Sequence, residues 1–284
     1  MYQICEKCIM DTSDKEIYFN DKGICNHCVE SLSKMDNYYF SKDEEISNLR
    51  NLKTRIKKRA GNSKYDSIIG LSGGVDSSYI AYLSHKNNMN PLCVHFDNGW
   101  NSDISIQNIK KIISVTGFDL HTEVINWPEF RDLQRSFILA GVVDIEMLSD
   151  HAIFTSLCHK INQYKIKTIM SGFNYKTEHG MPTSWVWSKM DFTNIKAIQK
   201  KFGSMKIKSF PHMTNIRWLL MKRFNLRGYF EDPLNLINYD KFEAIQTLKS
   251  YFNWESYGAK HNESIFTKFY QSYIWYSHKN KSFC

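Results

Sequence analysis

The feature that most constrains the fold is an alternation of short apolar segments with helical patterns, which begins near Tyr65. Apolar segments at 66–71, 91–96, 121–125 and 167–171 predict four strands. Stretches at 76–86, 104–115 and 150–164 predict helices, the last one capped by Asp150. Repeated strand–helix units predict an α/β fold, a parallel sheet with helices on both faces. Ligands of such sheets lie beyond the carboxyl ends of the strands.

The pattern divides the 284 residues into four parts. Residues 1–35 combine paired cysteines with polar turns, and residues 36–62 predict a helical linker that ends at Gly61-Asn62-Ser63. Residues 63–187 carry the strand–helix alternation and predict the α/β domain. Residues 188–284 are basic, rich in aromatic residues and helical in pattern, without a strand signal. We therefore expect a small N-terminal module, an α/β domain and a helical C-terminal part.

The strongest motif joins the first predicted strand to the first helix of the α/β domain. It reads Ser72, Gly73, Gly74, Val75, Asp76, Ser77, Ser78. Two glycines let the backbone approach a phosphate, and the first turn of the helix offers free amides and the positive end of its dipole. The serines add hydroxyl donors, and Asp76 predicts a Mg²⁺ ligand. The competing interpretation is an ordinary serine–glycine turn.

The motif is neither a Walker A loop nor a dinucleotide fingerprint, because neither glycine pattern occurs in the chain. It resembles the PP-loop of ATP pyrophosphatases. That resemblance implies a grip on the β and γ phosphates of ATP, which leaves the α phosphorus open to attack.

Polar residues also follow two other predicted strands. Asp97 follows the second strand, where it could border the adenosine, and Gly172 and Asn174 follow the fourth, with Thr177 and Glu178 close behind. Because these strand ends meet at one edge of a parallel sheet, we expect the residues to lie near the phosphate loop. Turn-forming residues in ordinary loops are the alternative.

Four of the seven cysteines form two pairs with a two-residue spacing, Cys5 with Cys8 and Cys25 with Cys28. Two such pairs predict a closed tetrahedral Zn²⁺ site with a structural role. An iron–sulfur cluster and free thiols are the alternatives.

The net charge of +8 and the pI of about 9.0 allow binding of nucleic acid or of anionic small molecules, or simply a lysine-rich surface. The basic runs lack the aromatic interleaving of a single-strand binding surface, which makes nucleic acid the less favoured partner. No apolar stretch is long enough to cross a bilayer, and no leader pattern opens the chain. We therefore expect a cytoplasmic location and no membrane partner.

Together, the motifs resemble those of the N-acetyl sugar amidotransferases, PP-loop enzymes of bacterial surface-polysaccharide and nonulosonate biosynthesis. The resemblance runs from about Cys5 to Tyr273. It is carried by DNGWNS at 97–102, FRDLQ at 130–134, DHAI at 150–153, SGFNYKTEHGMP at 171–182 and YGAKHNESIFTKFYQ at 257–271.

This resemblance implies that ATP activates the acetamido group of a free or nucleotide-linked sugar by adenylation, and that ammonia converts it into an acetamidino group. It also implies a separate glutaminase subunit, in keeping with the absence of a glutaminase-type cysteine motif. We expect further catalytic residues and substrate contacts in two segments. They are Asp150, His151, Lys260, His261, Glu263, Ser264 and Thr267.

The sequence also allows two other functions. Some tRNA-modifying PP-loop enzymes also adenylate a carbonyl oxygen, although this chain has no second cysteine pair for sulfur chemistry. Residues 274–284 depart from the pattern of the amidotransferases, so a shortened, non-catalytic binding protein is the other alternative. The individual residues also have interpretations without a function. Residues 260–268 could form a solvated helix, and residues 150–151 could be a helix cap beside a surface histidine.

Overall fold

The structure is a computed structural model that describes residues 2–36, 38–142, 144–178, 188–224, 226, 228–258 and 264–270. Strands and helices alternate through the middle of the chain, as the sequence predicts. The strands are β1 (Ser67–Gly70), β2 (Pro91–Asp97), β3 (Leu120–Val124), β4 (Thr168–Met170) and β5 (Tyr229–Glu231). The helices are α1 (Asn26–Asp36), α2 (Lys42–Ala60), α3 (Val75–Lys86), α4 (Asp103–Thr116), α5 (Trp127–Leu139), α6 (Met147–Tyr164), α7 (Phe192–Phe202), α8 (Asn215–Arg223), α9 (Lys241–Phe252) and α10 (Ile265–Phe269).

The five strands form one parallel sheet in the order β3-β2-β1-β4-β5. The chain builds outward from β1 through β2 to β3 and then returns to place β4 on the other side of β1. This reversal opens a crevice between the carboxyl ends of β1 and β4, the position where open α/β sheets bind ligands. The α/β architecture predicted from the sequence is confirmed.

Successive residues of β1 point to opposite faces of the sheet and enter different cores. Ile69 packs into a cluster with α2, α3, α4 and α9, whereas Ile68 packs into a cluster with α6. Both side chains are fully buried. A third apolar cluster joins α5, α7 and the first turns of α6 beside the sheet.

Helix α2 carries the signals expected of a well-capped helix. Ser41 and Glu44 form a reciprocal capping box, and the first turn is acidic while the last is basic, which suits the helix dipole. Its residues Leu52 and Ile56 are fully buried in the same core cluster as the helices of the sheet.

Two local predictions are wrong. The C-terminal part is mainly helical, as expected, but it also contributes β5, which pairs with β4. Helix α6 begins at Met147 and is preceded by Glu146, so Asp150 lies in its first turn and is not the cap. Strand β5 has only three residues, and its pairing with β4 comes from tertiary contacts rather than from a local pattern.

Within the described part of the chain, no helix combines the length and apolarity that a membrane crossing requires.

Candidate functional site

The phosphate-loop motif lies between β1 and α3, at the crevice where the strand order reverses. Gly73 has a φ of +79°, and Gly74 occupies the N-cap position of α3. Because Gly74 has no side chain, the N-cap residue itself supplies no side-chain cap to the helix. The start of α3, with the positive end of the helix dipole, therefore faces the crevice, which is an arrangement suited to an anion.

Hydroxyl groups surround the mouth of this loop. The Oγ atoms of Ser72 and Ser77 lie 3.1 Å apart, and the backbone N–H of Gly74 donates to Ser72 Oγ at 3.2 Å. Ser72 is exposed and Ser77 is half-buried, so both can meet a ligand. Ser78 is different, because its side chain is fully buried on the inner face of α3. The hydroxyl donor predicted at Ser78 is therefore enclosed in the protein.

The floor of the loop is fixed by residues from distant parts of the chain. The carbonyl of Gly73 accepts from Trp254 Nε1 at 3.2 Å and from Asn108 Nδ2 at 3.5 Å. The Tyr257 hydroxyl accepts from the backbone N–H of Val75 at 3.0 Å. A Cβ atom at Gly73 would lie 2.3 Å from the carbonyl oxygen of Ser105. Glycine is therefore required at this position by both the backbone conformation and the space.

Asp76 stands in the first turn of α3 and is half-buried. Its carboxylate accepts a hydrogen bond from the hydroxyl of Tyr239, which comes from the loop before α9. Burial and the neighbouring Asp76 charge both raise the pKa of Tyr239, so it stays a protonated donor at neutral pH. Tyr239 therefore fixes the orientation of this carboxylate at the edge of the loop.

The structure brings Gly172 against the same turn. A Cβ atom built on Gly172 would lie 3.3 Å from Asp76 Cβ and 3.7 Å from the backbone nitrogen of Ser77. The exit of β4 thus closes directly on the start of α3. The carboxyl ends of β1 and β4 therefore lie close together, as the sequence predicts.

Asn174 and Thr177 form a turn just beyond Gly172. Asn174 Oδ1 accepts from the N–H and the hydroxyl of Thr177, at 2.8 and 3.0 Å, and the Glu178 N–H donates to the Asn174 carbonyl at 3.1 Å. Asn174 is 1% exposed, and its Nδ2 has no hydrogen-bond partner among the described residues. A buried amide donor without a partner is costly, so this group is a candidate for contact with a bound molecule.

Asp97 ends β2 and organises the next loop. Its Oδ1 accepts from the Gly99 N–H at 3.0 Å and from Asn101 Nδ2 at 3.1 Å. The C-terminal segment docks on this loop, since Ser264 bridges to Asn101 and the Ile265 N–H donates to the Trp100 carbonyl at 2.7 Å.

Two of the C-terminal residues predicted to contact substrate, Ser264 and Thr267, therefore lie near the carboxyl edge of the sheet. Ser264 caps the short helix α10, and the Thr267 hydroxyl donates to the Glu146 carboxylate. Lys260, His261 and Glu263 lie outside the described residues.

His151 and Asp150 lie in a different environment from the phosphate loop. His151 is fully buried, with Nδ1 at 2.9 Å from the Lys189 carbonyl and Nε2 accepting from the Met213 N–H at 3.1 Å. Burial lowers the pKa of His151 and keeps the ring neutral. Both ring nitrogens thus contact backbone groups, as in a structural histidine. His151 is therefore not the surface histidine of the alternative interpretation. Asp150 pairs with Lys189 at 2.9 Å.

The four N-terminal cysteines converge as the spacing predicts. Their sulfur atoms all lie within 4.8 Å of one another, with separations of 3.9 Å for Cys5–Cys28 and 3.7 Å for Cys8–Cys25. A tetrahedral site with Zn–S bonds of about 2.3 Å requires sulfur separations of about 3.8 Å, so the cluster fits Zn²⁺.

Backbone amides support this cluster. The N–H groups of Lys7 and Cys25 donate to Cys5 Sγ at 3.4 and 3.2 Å. Burial raises the pKa of Cys5, but these hydrogen bonds outweigh it and lower the pKa to about 6. The thiolate form that a metal requires is therefore favoured at this cysteine.

Several residues that shape the site carry no signal in the sequence. Tyr239, Trp254 and Asn108 reach the phosphate loop from remote elements, and nothing in their local patterns marks them. Tyr257 opens the motif at 257–271, but that motif gives no sign of its contact with the loop. Asp232, directly after β5, also lies at the carboxyl edge, and burial raises its pKa. Only its position at a strand end could have identified it, and β5 itself was not predicted.

Comparisons with known proteins give distant similarities only. No family model matches the chain, and no curated protein matches it. Among solved structures, the chain is similar to an NMN synthetase from Francisella tularensis (15% identity, TM-score 0.38, 87% of this chain and 98% of that one). It is also similar to an NH3-dependent NAD synthetase from Campylobacter jejuni subsp. jejuni (14% identity, TM-score 0.39, 84% and 98%).

A third solved structure is a predicted subunit of a tRNA methyltransferase from Methanocaldococcus jannaschii (14% identity, TM-score 0.34, 64% of this chain and 73% of that one). Similarities this distant carry no conclusion about the activity of the chain.

Proposed function

We propose that this chain is an ATP-dependent enzyme that forms AMP and pyrophosphate and converts the acetamido group of a sugar into an acetamidino group. The observation that carries this proposal is the start of α3, where the N-cap residue is the glycine Gly74. It opens into the crevice between β1 and β4, with the Ser72 and Ser77 hydroxyls at its mouth. A polyanion is the ligand that such a turn favours.

In the proposed complex, the backbone of Gly73 and Gly74 and the two serine hydroxyls hold the β and γ phosphates of ATP. Asp76, held in place by Tyr239, would bind Mg²⁺, which neutralises the charge that develops on the departing pyrophosphate. Asp97 and Asn174 border the same edge and would contact the rest of the nucleotide. Holding the terminal phosphates in the loop favours transfer of the adenylyl group over transfer of the γ phosphoryl group.

The proposed reaction has two steps. The amide oxygen of the sugar attacks the α phosphorus, a new P–O bond forms, and the bond from that phosphorus to the bridging oxygen breaks to release pyrophosphate. Ammonia then adds to the activated carbon, the carbon–oxygen bond breaks, and AMP leaves with the former amide oxygen. Adenylation is needed because the oxygen of an unactivated amide is a poor leaving group.

The acetamido sugar is proposed from the motif resemblance, and the docking of the C-terminal segment is compatible with it. Ser264 and Thr267 approach the sheet beside the Asp97 loop, where a second substrate would meet the nucleotide. Lys260, His261 and Glu263 are proposed to complete this side of the site, together with Thr177 and Glu178. Asp150 and His151 are less favoured, since Asp150 pairs with Lys189 and both nitrogens of His151 are occupied.

A separate glutaminase subunit is proposed as the source of ammonia. Among the described residues, the two cysteines outside the cluster, Cys93 and Cys158, are both fully buried, and burial raises the pKa of Cys93 to about 12. Neither thiol is suited to attack glutamine, because the reactive form of cysteine is an exposed thiolate. The same argument disfavours sulfur transfer to tRNA through these two residues.

Zn²⁺ is proposed at the four-cysteine cluster with a structural role. Four sulfur ligands fill a tetrahedral site and leave no position for a substrate. Metal binding would stabilise the N-terminal segment, which has few buried apolar side chains of its own.

The test is turnover by the purified chain with ATP, Mg²⁺, ammonium and nucleotide-linked acetamido sugars. We expect AMP and pyrophosphate in equal amounts, only when an acetamido sugar is present, and an amidine product by mass spectrometry. Ammonium should replace the partner subunit, whereas glutamine alone should not support the reaction. Formation of ADP and phosphate, or AMP formation that requires tRNA instead of sugar, would refute the proposal.

A further inference from the structure

A second cleft lies on α7 and the loop that follows it. It has a volume of about 350 Å³, within the lower range of small-molecule sites. Lys196, Lys200 and Lys206 stand around it, and Met205 and Ile207 supply apolar surface. None of the residues of the phosphate loop lines this cleft. The combination of several ammonium groups with an apolar wall is suited to an anion that carries an organic group.

The loop that forms one wall is held rigidly by two buried carboxylates of α5. Glu129 accepts from the backbone N–H groups of Lys208, Ser209 and Phe210, at 2.5 to 3.2 Å. Asp132 accepts from the N–H groups of Ser204 and Met205 at 2.8 to 3.1 Å. Burial opposes ionisation of both carboxyl groups, but the Ser209 hydroxyl and these amides lower the pKa of Glu129, and the amides with the Gln199 side chain lower the pKa of Asp132. The lysines are therefore carried on a preorganised backbone, which reduces the entropic cost of binding a ligand.

The charge around the cleft is strongly positive. Residues 191–213 contain five lysines and one acidic residue, Asp191, which caps α7. Glu129 and Asp132 are the acidic groups that face the loop from α5, and their oxygens are occupied by its amides. Lys196, Lys200 and Lys206 form no ion pair with any described residue. Their charges are thus available to an external anion.

A flat aromatic wall completes the cleft. The rings of Phe192 and His212 are stacked with their centroids 4.2 Å apart and their planes at 13°. His212 Nδ1 lies 2.8 Å from the Phe210 carbonyl, which fixes the ring. Phe192 is buried and also stacks with His151, so the half-buried His212 ring is the aromatic surface against which a planar or apolar group of a ligand can pack while its charged group meets the lysines.

We propose that this cleft binds a small phosphate-bearing organic molecule at a site separate from the phosphate loop. Lysine ammonium groups are effective phosphate ligands, and three of them line this cleft. The phosphate belongs either to the carrier of the acceptor sugar or to a separate effector. The site does not depend on the proposed reaction, because none of the proposed catalytic residues lines it.

The test is calorimetric titration of the full chain with inorganic pyrophosphate at low salt. We expect two sites in the parent protein. Ser77→Asp, which places a negative charge in the phosphate loop, should remove one site, and K200Q combined with K206Q should weaken the other at least about tenfold. This factor follows if each lysine contributes one charge-assisted hydrogen bond. K222Q combined with R223Q, on exposed positions of α8, is the matched control and should retain both sites.

Retention of both sites in the Lys200 and Lys206 double variant would overturn the inference, and so would loss of both sites in Ser77→Asp alone. Retention of both in Ser77→Asp would instead count against the proposed phosphate loop, so the two failures are distinguishable. Tighter binding of a short single-stranded RNA than of pyrophosphate, abolished by the double variant, would overturn the assignment in favour of a nucleic-acid surface.

The source of the phosphate is distinguished in the Ser77→Asp background. If a nucleoside-diphosphate-linked acetamido sugar displaces pyrophosphate at lower concentration than the free nucleoside diphosphate does, the cleft holds the carrier of the substrate. Equal displacement by the two supports an effector site. If neither compound displaces pyrophosphate, the inference is overturned.

Discussion

Substitution of Gly73 by alanine should damage both stability and nucleotide binding, and the structure gives the size of the effect. An alanine with φ near +79° costs about 1–2 kcal/mol because the Cβ atom opposes the left-handed conformation. The same Cβ would lie 2.3 Å from the backbone carbonyl oxygen of Ser105, which cannot turn aside as a side chain does. Overpacking of this kind costs a further amount of about 1–3 kcal/mol.

Gly117→Ala provides the matched control for this prediction. Gly117 also has a left-handed backbone, with φ of +67°, but a Cβ there would meet nothing within 4 Å. It should therefore show the backbone cost alone. The free energy of unfolding in urea should fall by about 2–5 kcal/mol for Gly73→Ala and about 1–2 kcal/mol for Gly117→Ala. ATP-dependent pyrophosphate release should fall only in the first variant. Equal destabilisation of the two variants, with pyrophosphate release intact, would refute the account of the loop.

Three further predictions follow from the site. Asp76→Asn keeps a hydrogen-bond acceptor for Tyr239 but removes the negative charge. Pyrophosphate release should therefore drop at least about a hundredfold, with little change in the unfolding temperature. Unchanged release would exclude the proposed metal role of Asp76. Cys25→Ser should reduce bound zinc, measured by elemental analysis, from about one ion per chain to none, whereas Cys158→Ser should retain it. His151, whose pKa burial lowers from 6.5, should make the protein less stable as pH falls below about 6.5, because the unfolded chain gains a proton that the folded chain resists. The slope for this residue is at most about 1.4 kcal/mol per pH unit, and urea unfolding of His151→Gln between pH 5 and 8 should show a shallower dependence than the parent.

The alternation of strands and helices was sufficient to predict four of the five strands, their parallel arrangement and the position of the phosphate loop. The strand at 66–71 and the glycine pair after it carry strong local signals, since β1 is buried on both faces and the turn requires a positive φ. The four cysteines were equally clear, because their spacing is tied to tetrahedral geometry.

Sequence reasoning failed where distant contacts decide the outcome. Strand β5 is too short to show a period, and its pairing with β4 is tertiary. The sequence could not show that His151 is buried. In the structure its ring stacks with Phe192 and Phe210, and this packing keeps it away from solvent. Tyr239 could not be found either, since nothing near position 239 indicates a partner at position 76.

The supports of the phosphate loop have a consequence for biogenesis. The loop at 72–78 is translated well before the residues that hold it, at 239, 254 and 257. A nascent chain can therefore form β1 and α3 long before it can fix the loop between them. The final shape of the loop should accordingly arise only after residues 239–257 have been synthesised.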